Sequence, residues 1–466
     1  MENFWEFNVW SGISLFGTLL ISLLGANIVK KKIPFLRNSL IPTAVLGGVI
    51  LLLISSVYEA IFDQRFFDTT YYGGNGSNVL EVITYHALAL GFIATAFKPS
   101  RGKHSLKRNG EIFDTGVTTV STYLLQGVIG MGITLIAALI MPGFFKASGL
   151  LLPFGFGQGT GQALNYGTIY QNEHGFVGGR TFGLTIAAIG FLAASLGGVV
   201  HLNILKRRGA TIVHEDDAVC TMCAEDVQSP DEIPMNGSMD KLSVQFGFVF
   251  GTYMLTHALL LILGTLLPGF RSVLYGFNFL LGVLLATAMR VGCSLLRQRG
   301  IMKKQYVNGF LMDRISGFCF DIMVVAGIAA IRFELLAGYW PVILILAVAG
   351  TFSTYFYNRI VARKLFSEYP EEQFLMMYGM LTGTASTGVI LLRELDPEFK
   401  TPAADNLVYQ NFPAIAFGFP MMILATLAPV EPYLTFGILA AFFLAMNILL
   451  FRRQIFKRRR KKNKGV

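Results

Sequence analysis

Charge is scarce in this 466-residue chain, where Asp, Glu, Lys and Arg make up 14% of the residues, against about a quarter in soluble domains. Cysteine is scarcer still. Cys220, Cys223, Cys293 and Cys319 are too few and too scattered for a disulfide framework, and two of them are expected inside helices as small apolar residues. Glu2 and Glu6 precede the first apolar run with no basic residue, so the positive segment of a cleavable signal peptide is missing. The run is expected to stay as a first spanning helix. Missing too are the G-x-x-x-x-G-K-[ST] loop that cradles ATP phosphates and the H-E-x-x-H of a zinc hydrolase. There is no Thr-Val-Gly-Tyr-Gly filter, and Asp313 with Asp321 is a single wide pair rather than paired Asp-rich motifs. An ATP-driven pump with its own motor is excluded, and neither an enzyme nor an organic cofactor is expected.

What the chain has is apolar length. Hydrophobic residues are 53% of the sequence and mean hydropathy is +0.56. A helix crosses the hydrocarbon core with about 20 apolar residues. Such runs lie near 9–28, 38–58, 79–97, 115–141 and 178–204, then near 244–267, 272–292, 307–331, 338–358, 405–427 and 432–451. The expected fold is therefore an all-α polytopic membrane protein. Two further segments, 148–170 and 371–392, are moderately apolar but broken by glycine and hydroxyl residues.

Net charge is +10, yet nine positive charges lie in the tail from Arg452 to Lys464, so the body is almost neutral. A basic tail after a spanning helix is an orientation signal and not a nucleic-acid surface. Basic clusters stand at Lys30–Arg37, Lys98–Arg108, Lys206–Arg208, Arg297–Lys304 and Arg359–Lys364. All fall on the cytoplasmic side only if neither broken segment crosses the membrane. Both are then re-entrant hairpins, with the N-terminus outside, the C-terminus inside and mouths on opposite faces. Arms of about 10 residues are roughly 15 Å long and reach the midplane.

Each half then holds five crossings and one hairpin, and an odd number of crossings inverts the second copy. The expected division is a first repeat at 1–204, a cytoplasmic linker at 205–240, a second, inverted-topology repeat at 241–430, and an extra helix with the basic tail at 431–466. The linker contains Cys220-Thr-Met-Cys223 near His214. A lone C-x-x-C lacks the second ligand pair of a structural zinc site, so no metal is assigned to it.

The tips read Gly155-Phe-Gly157-Gln158-Gly159-Thr160-Gly161-Gln162 and Gly379-Met-Leu-Thr382-Gly383-Thr384-Ala385-Ser386-Thr387-Gly388. Both fit G-x-x-x-G-T-small, at a constant offset from 155 to 379 and from 159 to 383. Broken helices in hydrocarbon expose backbone groups that protein or a wet cavity must satisfy. Half-helix N-termini offer amides to a carboxylate, while unwound carbonyls and Thr or Ser hydroxyls suit sodium. Gly47-Gly48 and Gly197-Gly198 read instead as helix-packing faces.

Among ionisable residues inside spans, Asp321 is the sharpest, and Asp313, Ser316, Gly317 and Asp321 share a face, with about 12 Å between the carboxylates. Asp321 is a candidate sodium or ammonium ligand, with a salt bridge or a protonated carboxyl as the alternative. Arg180 and Arg393 read mainly as snorkelling residues near the interfaces, with a substrate carboxylate as the alternative partner, and Arg314 as snorkelling or paired. His86 and His257 read as buried core residues, and Gln126, Asn165 and Asn411 as bridges between helices.

Ile41-Pro42-Thr-Ala-Val45-Leu-Gly47-Gly48 resembles the early Pro and Gly-Gly signature of the bacterial glutamate:sodium symporters, and the two Gly/Thr hairpins stand where that family places its own. The order of elements is similar from about residue 10 to 450. The family usually has Gly-His-Gly-Thr-Ala where Gly157-Gln158-Gly159-Thr160-Gly161 stand here, and Thr-Pro-Thr-Ala where Thr384-Ala385-Ser386-Thr387 stand. The resemblance implies a homodimer in the plasma membrane, with a mobile unit carrying both hairpins as in the related citrate carriers. It implies sodium-coupled uptake of glutamate or a similar small dicarboxylate. Substrate would be held by Gln158, Gly159, Thr160, Gly161, Gln162, Gly383, Thr384, Ala385, Ser386 and Thr387. Sodium would be held by Gly157, Thr382, Asp313 and Asp321. A proton- or sodium-coupled citrate-type carrier and a passive anion channel remain open at this point.

Overall fold

The computed structural model describes residues 3–98, 106–209, 232–235, 239–268, 271–397 and 400–455. Cys220, Cys223 and His214, most of the 205–240 linker and the tail beyond residue 455 lie outside the described residues. The principal elements are α1 (Phe7–Lys32), α2 (Thr43–Phe62), α3 (Gly76–Ala96), α4 (Leu106–Ile140), α5 (Leu151–His174), α6 (Gly179–Arg207), α7 (Lys241–Leu266), α8 (Asn278–Gln298), α9 (Gly309–Ala329), α10 (Trp340–Leu365), α11 (Pro370–Thr382), α12 (Ala385–Arg393), α13 (Asn411–Leu427) and α14 (Pro432–Leu450). Among the described residues every named element is helical, beside one isolated bridge between Glu232 and Gln305.

Nine helices among the described residues are long and apolar enough to cross a membrane, as in a multi-pass membrane protein. Two of the eleven expected spans fall short of that measure, because α9 carries Asp313, Arg314 and Asp321 and α13 is only 17 residues long with Pro420 inside. The long helices are apolar outward and polar inward. On α4, Thr115, Thr118, Thr119, Thr122 and Gln126 are buried while Ile136, Leu139 and Ile140 are exposed. On α10, Thr354 and Asn358 are buried, and Leu344, Val348, Phe352 and Phe356 face outward. Hydrocarbon solvates the outer stripe, and the hydroxyls and amides must find partners inside.

The chain forms two compact units. One holds residues 1–28, 43–102 and 219–331, and the other holds 29–42, 103–218 and 332–466. The first contains α2, α3, α7, α8, α9 and most of α1; the second contains α4–α6 and α10–α14. Each unit therefore takes helices from both halves of the sequence.

In the first unit, Gly47 packs on Ser22 of α1, and Gly48 lies so close to Ile328 and the Val325 carbonyl of α9 that a Cβ would fall 2.7 Å from Ile328 Cβ. The Ser316 hydroxyl bonds Thr95 Oγ1 at 2.7 Å and the Gly91 carbonyl of α3 at 3.1 Å. At the starts of α7 and α9, Lys241 Nζ donates to Glu232 Oε2 at 2.7 Å, and Asn308, the N-cap of α9, donates to the same oxygen at 2.6 Å.

His86 and His257 are exposed rather than buried, because α3 and α7 turn these positions to the outside of the unit. The His86 ring meets the Tyr253 hydroxyl at 2.7 Å. Cys293 and Cys319 do lie within helices, the first half-buried and the second buried.

Candidate functional site: two reversed helices

Both broken helices belong to the second unit. In α5 the helical geometry is interrupted at Gly159, with φ 80° and ψ −171°, a region open essentially to glycine alone. Phe154 and Tyr166 stack across this point with ring centroids 3.9 Å apart and planes 5° apart. Along an unbroken helix twelve residues would separate them by about 18 Å, so the chain folds back at Gly159.

The second break lies between α11 and α12, where Gly383 and Thr384 take φ −134° and φ −138°. Its arms touch backbone to backbone: a Cβ on Gly379 would fall 2.8 Å from Gly388 Cα. Nine helical residues would otherwise set these glycines about 13 Å apart.

A helix break strands the carbonyls of the preceding turn, whose amide partners no longer lie above them. One helix meets both. Tyr123 of α4 donates its hydroxyl to the Gly157 carbonyl at 3.1 Å. One turn on, Gln126 Nε2 donates to the Leu381 carbonyl at 2.9 Å and to Thr354 Oγ1 of α10 at 2.8 Å. The hairpins also share a neighbour in Gly190 of α6, where a Cβ would lie 2.5 Å from the Thr382 carbonyl and 2.9 Å from Phe156. The two tips, distant in sequence, are thus brought together.

Thr160, Gln162, Thr382 and Thr387 are fully buried or nearly so, and Gly157, Gly159, Gly161 and Gly383 are buried with them. Gln158 and Thr384 are half-buried, and Ala385 and Ser386 are exposed. Thr382 returns its hydroxyl to the Tyr378 carbonyl at 2.6 Å, and Thr384 and Thr387 meet hydroxyl to hydroxyl at 3.4 Å. Thr384, the N-cap of α12, makes no side-chain cap, so its hydroxyl does not occupy the first-turn amides. Four buried amide atoms have no hydrogen-bond partner among the described residues: Gln126 Oε1, Gln162 Nε2, Asn406 Oδ1 and Gln410 Oε1. Gln162 Oε1 is held by Asn165 Nδ2 at 3.2 Å, and Gln410 Nε2 reaches Met380 Sδ at 3.4 Å. A buried polar atom left unpaired costs about 1–3 kcal/mol, which a polar ligand would offset.

The two carboxylates named as sodium candidates belong to the first unit, not to the unit of the hairpins. Asp313 is ion-paired with Lys98, which neutralises it. Asp321 is exposed on α9. The face expected to present Asp313, Ser316 and Asp321 together is divided, because Lys98 engages the first and Thr95 with Gly91 the second. No group of three or more metal-ligating side chains occurs among the described residues. Arg180 donates to Asn172 Oδ1 at 3.3 Å, beyond the first hairpin, and Arg314 lies over the Phe310 ring.

Sequence reading missed the base of the second hairpin. His201 of α6 is buried, with Nδ1 2.8 Å from the Tyr355 hydroxyl and Nε2 2.8 Å from Glu371 Oε2 in the first turn of α11. Arg363 donates to Glu371 Oε1 at 2.9 Å. On another side, Asn406 donates to Gln373 Oε1 at 2.9 Å, and Gln373 donates to Thr115 Oγ1 at 3.2 Å. Only the hydroxyl spacing on α4, at 115, 118, 119 and 122, hinted that this helix turns a polar face inward.

Gln126→Leu is expected to lower stability by about 1–3 kcal/mol, because the buried Leu381 carbonyl loses its donor. Thermal unfolding of the purified protein in detergent measures it, and an unchanged midpoint would show that the carbonyl finds another partner.

No protein-family model matches this chain, and no curated protein matches it.

Proposed function

We propose that the chain is a secondary active transporter that couples inward sodium movement to uptake of glutamate or a similar small dicarboxylate. The observation that carries the reading is the pair of chain reversals at Gly159 and Gly383-Thr384, in one compact unit, with a stranded carbonyl of each engaged by α4. Discontinuous helices with free amide ends and free carbonyls are how a helical membrane protein binds anions and monovalent cations near the midplane. A passive helical scaffold has no use for two of them.

The order of elements supports two inverted repeats. Four helices, a broken helix and a closing helix occur in α1–α6 and again in α7–α13, with α14 extra. Both compact units take elements of the same rank from both halves, α1–α3 with α7–α9 and α4–α6 with α10–α13. In this reading the unit with the hairpins is the moving part of an elevator-type homodimer, the hairpins are re-entrant, and the C-terminus is cytoplasmic. The first turns after the breaks, Thr160–Gln162 and Ala385–Thr387, hold the substrate carboxylates through their amides, with Gln158, Gly159, Gly161, Gly383 and Thr384 forming the turns. Carbonyls and hydroxyls about Gly157 and Thr382 serve sodium. Asp321 is the remaining carboxylate candidate, Asp313 being engaged by Lys98. Each positive charge that accompanies the anion gains about 2.3 kcal/mol per 100 mV of membrane potential.

The test is L-glutamate uptake into proteoliposomes under an inward sodium gradient, against an equal potassium gradient and a Gly383→Leu control. Accumulation above the external concentration that needs sodium and fails in the variant is expected. A Cβ at Gly383 would already lie 2.9 Å from Thr387 Oγ1, so a leucine must displace the tip. Passive equilibration would indicate a channel, and uptake of citrate driven by protons would overturn the glutamate assignment.

A further inference from the structure

The His201 side chain is wholly inaccessible, yet both ring nitrogens have polar partners on neighbouring helices of the second unit. The hydrogen bonds about it have a direction. Arg359 Nη1 donates to the Tyr355 hydroxyl oxygen at 3.2 Å, which leaves the Tyr355 proton for His201 Nδ1 at 2.8 Å. The ring proton then sits on Nε2 and is donated to Glu371 Oε2 at 2.8 Å, while Arg363 donates to Glu371 Oε1 at 2.9 Å. The neutral ring therefore satisfies both of its partners. From α10 the groups about the ring are Tyr355, Arg359 and Arg363, and from α11 they are Glu371 and the Phe374 ring, 4.4 Å from the imidazole. Glu372 follows Glu371 and lies within electrostatic reach of it and of Asp396. Tyr378, two turns along α11, gives its hydroxyl to the Ala193 carbonyl at 2.9 Å, and from α12 the apolar Leu391 packs on Gly198. On α6 itself Lys206 and Arg207 stand in the last turn.

Histidine is the side chain that ordinarily changes charge between pH 5 and 8. Glu371 does not, because the bond from His201, aided by that from Arg363, holds its carboxyl well below the usual range, at about 2. Glu371 is 22% exposed, so a proton has a route from solvent to the ring. We infer that His201 is a proton-binding site that latches the base of the second hairpin, the added proton turning its bond to Glu371 into an ion pair. The proton adds to Nδ1, and the Tyr355 hydroxyl turns so that its oxygen accepts the new N–H. A charge-assisted hydrogen bond is roughly twice as strong as a neutral one, so acid ties the first turn of α11 more firmly to α6. This inference stands without the transport reading; under that reading, acid slows the opening of the second hairpin.

The test is amide hydrogen exchange of the full chain in nanodiscs, read by mass spectrometry on peptides that cover α11, at pH 5.5 and at pH 7.5. His201→Gln keeps an N–H donor toward Glu371 but takes up no proton. Comparing variant with parent at the same pH cancels the chemical dependence of exchange on pH, and peptides of α8, in the first unit, serve as reference. The ratio of variant to parent exchange rates over α11 is expected to be roughly fivefold to tenfold larger at pH 5.5 than at pH 7.5. The α8 ratio is expected to stay the same. Glu371→Gln leaves the ring in place and removes the charge it would meet, so it is expected to give the same rise in ratio on acidification. It decides the matter if His201→Gln prevents folding. An α11 ratio that is unchanged or falls on acidification, in whichever variant folds, would overturn the inference, and so would an equal rise in α8, which would mark a general loosening.

Discussion

Gly159→Ala is expected to abolish most substrate uptake and to destabilise the protein by about 1–3 kcal/mol, the cost of holding a side chain in a backbone region that only glycine occupies freely. At φ 80° and ψ −171° the alanine Cβ strains the turn at which α5 reverses. The chain can relieve this only by shifting the turn, which moves Thr160 and Gln162 relative to the Gly157 carbonyl held by Tyr123. At about 1.4 kcal/mol per factor of ten, the population of the intact turn falls by roughly 5 to 150-fold. Thermal unfolding in detergent and initial uptake rates in proteoliposomes measure the two effects. Gly161→Ala serves as the backbone control, since α5 departs from helical geometry only at Gly159. Equal effects of the two substitutions on unfolding would show that the Gly159 conformation is not the source of the cost.

Lys241→Met is expected to have the largest effect on stability, about 3–5 kcal/mol, the usual consequence of removing one partner of a buried ion pair. The Lys241 side chain is wholly inaccessible and Glu232 is only 7% exposed. Without the ammonium group, Glu232 keeps the Asn308 amide but loses its countercharge. The double variant Lys241→Met with Glu232→Gln is expected to recover most of the loss, since the buried charge is then gone. Chemical denaturation of the single and double variants distinguishes the pair from simple packing. A single variant within about 1 kcal/mol of the parent would remove the ion pair from the account. The pair ties Glu232, within the inter-half linker, to the starts of α7 and α9, so loosening is expected to expose this end of the first unit to proteolysis.

The helices were legible because hydrocarbon imposes a simple rule on sequence: apolar runs of the right length and partners for every backbone group. The runs read near 9–28, 79–97 and 178–204 became α1, α3 and α6 with ends moved by a few residues. The glycine-hydroxyl segments were legible because such composition is costly in a continuous helix, and both breaks fall within them, at Gly159 and at Gly383-Thr384. The partners of polar side chains were not legible. Helical spacing grouped Asp313 with Asp321, but a shared stripe does not say which neighbouring helix lies opposite each residue. Lys98 at the end of α3 engaged Asp313, and Thr95 engaged Ser316. The exposure of His86 and His257 was not legible for a related reason, since an isolated histidine carries no sequence sign of which way its helix turns.

By itself the sequence determined that this is a multi-pass helical membrane protein, where its helices run and where two of them break, because chain-local costs decide these things. The tertiary structure alone decided that the two breaks meet, that Tyr123 and Gln126 of one helix serve both, and that helices of each half are shared between two compact units. These are contacts between residues tens to hundreds of positions apart, and no local cost along the chain encodes which of the possible partners a side chain will find.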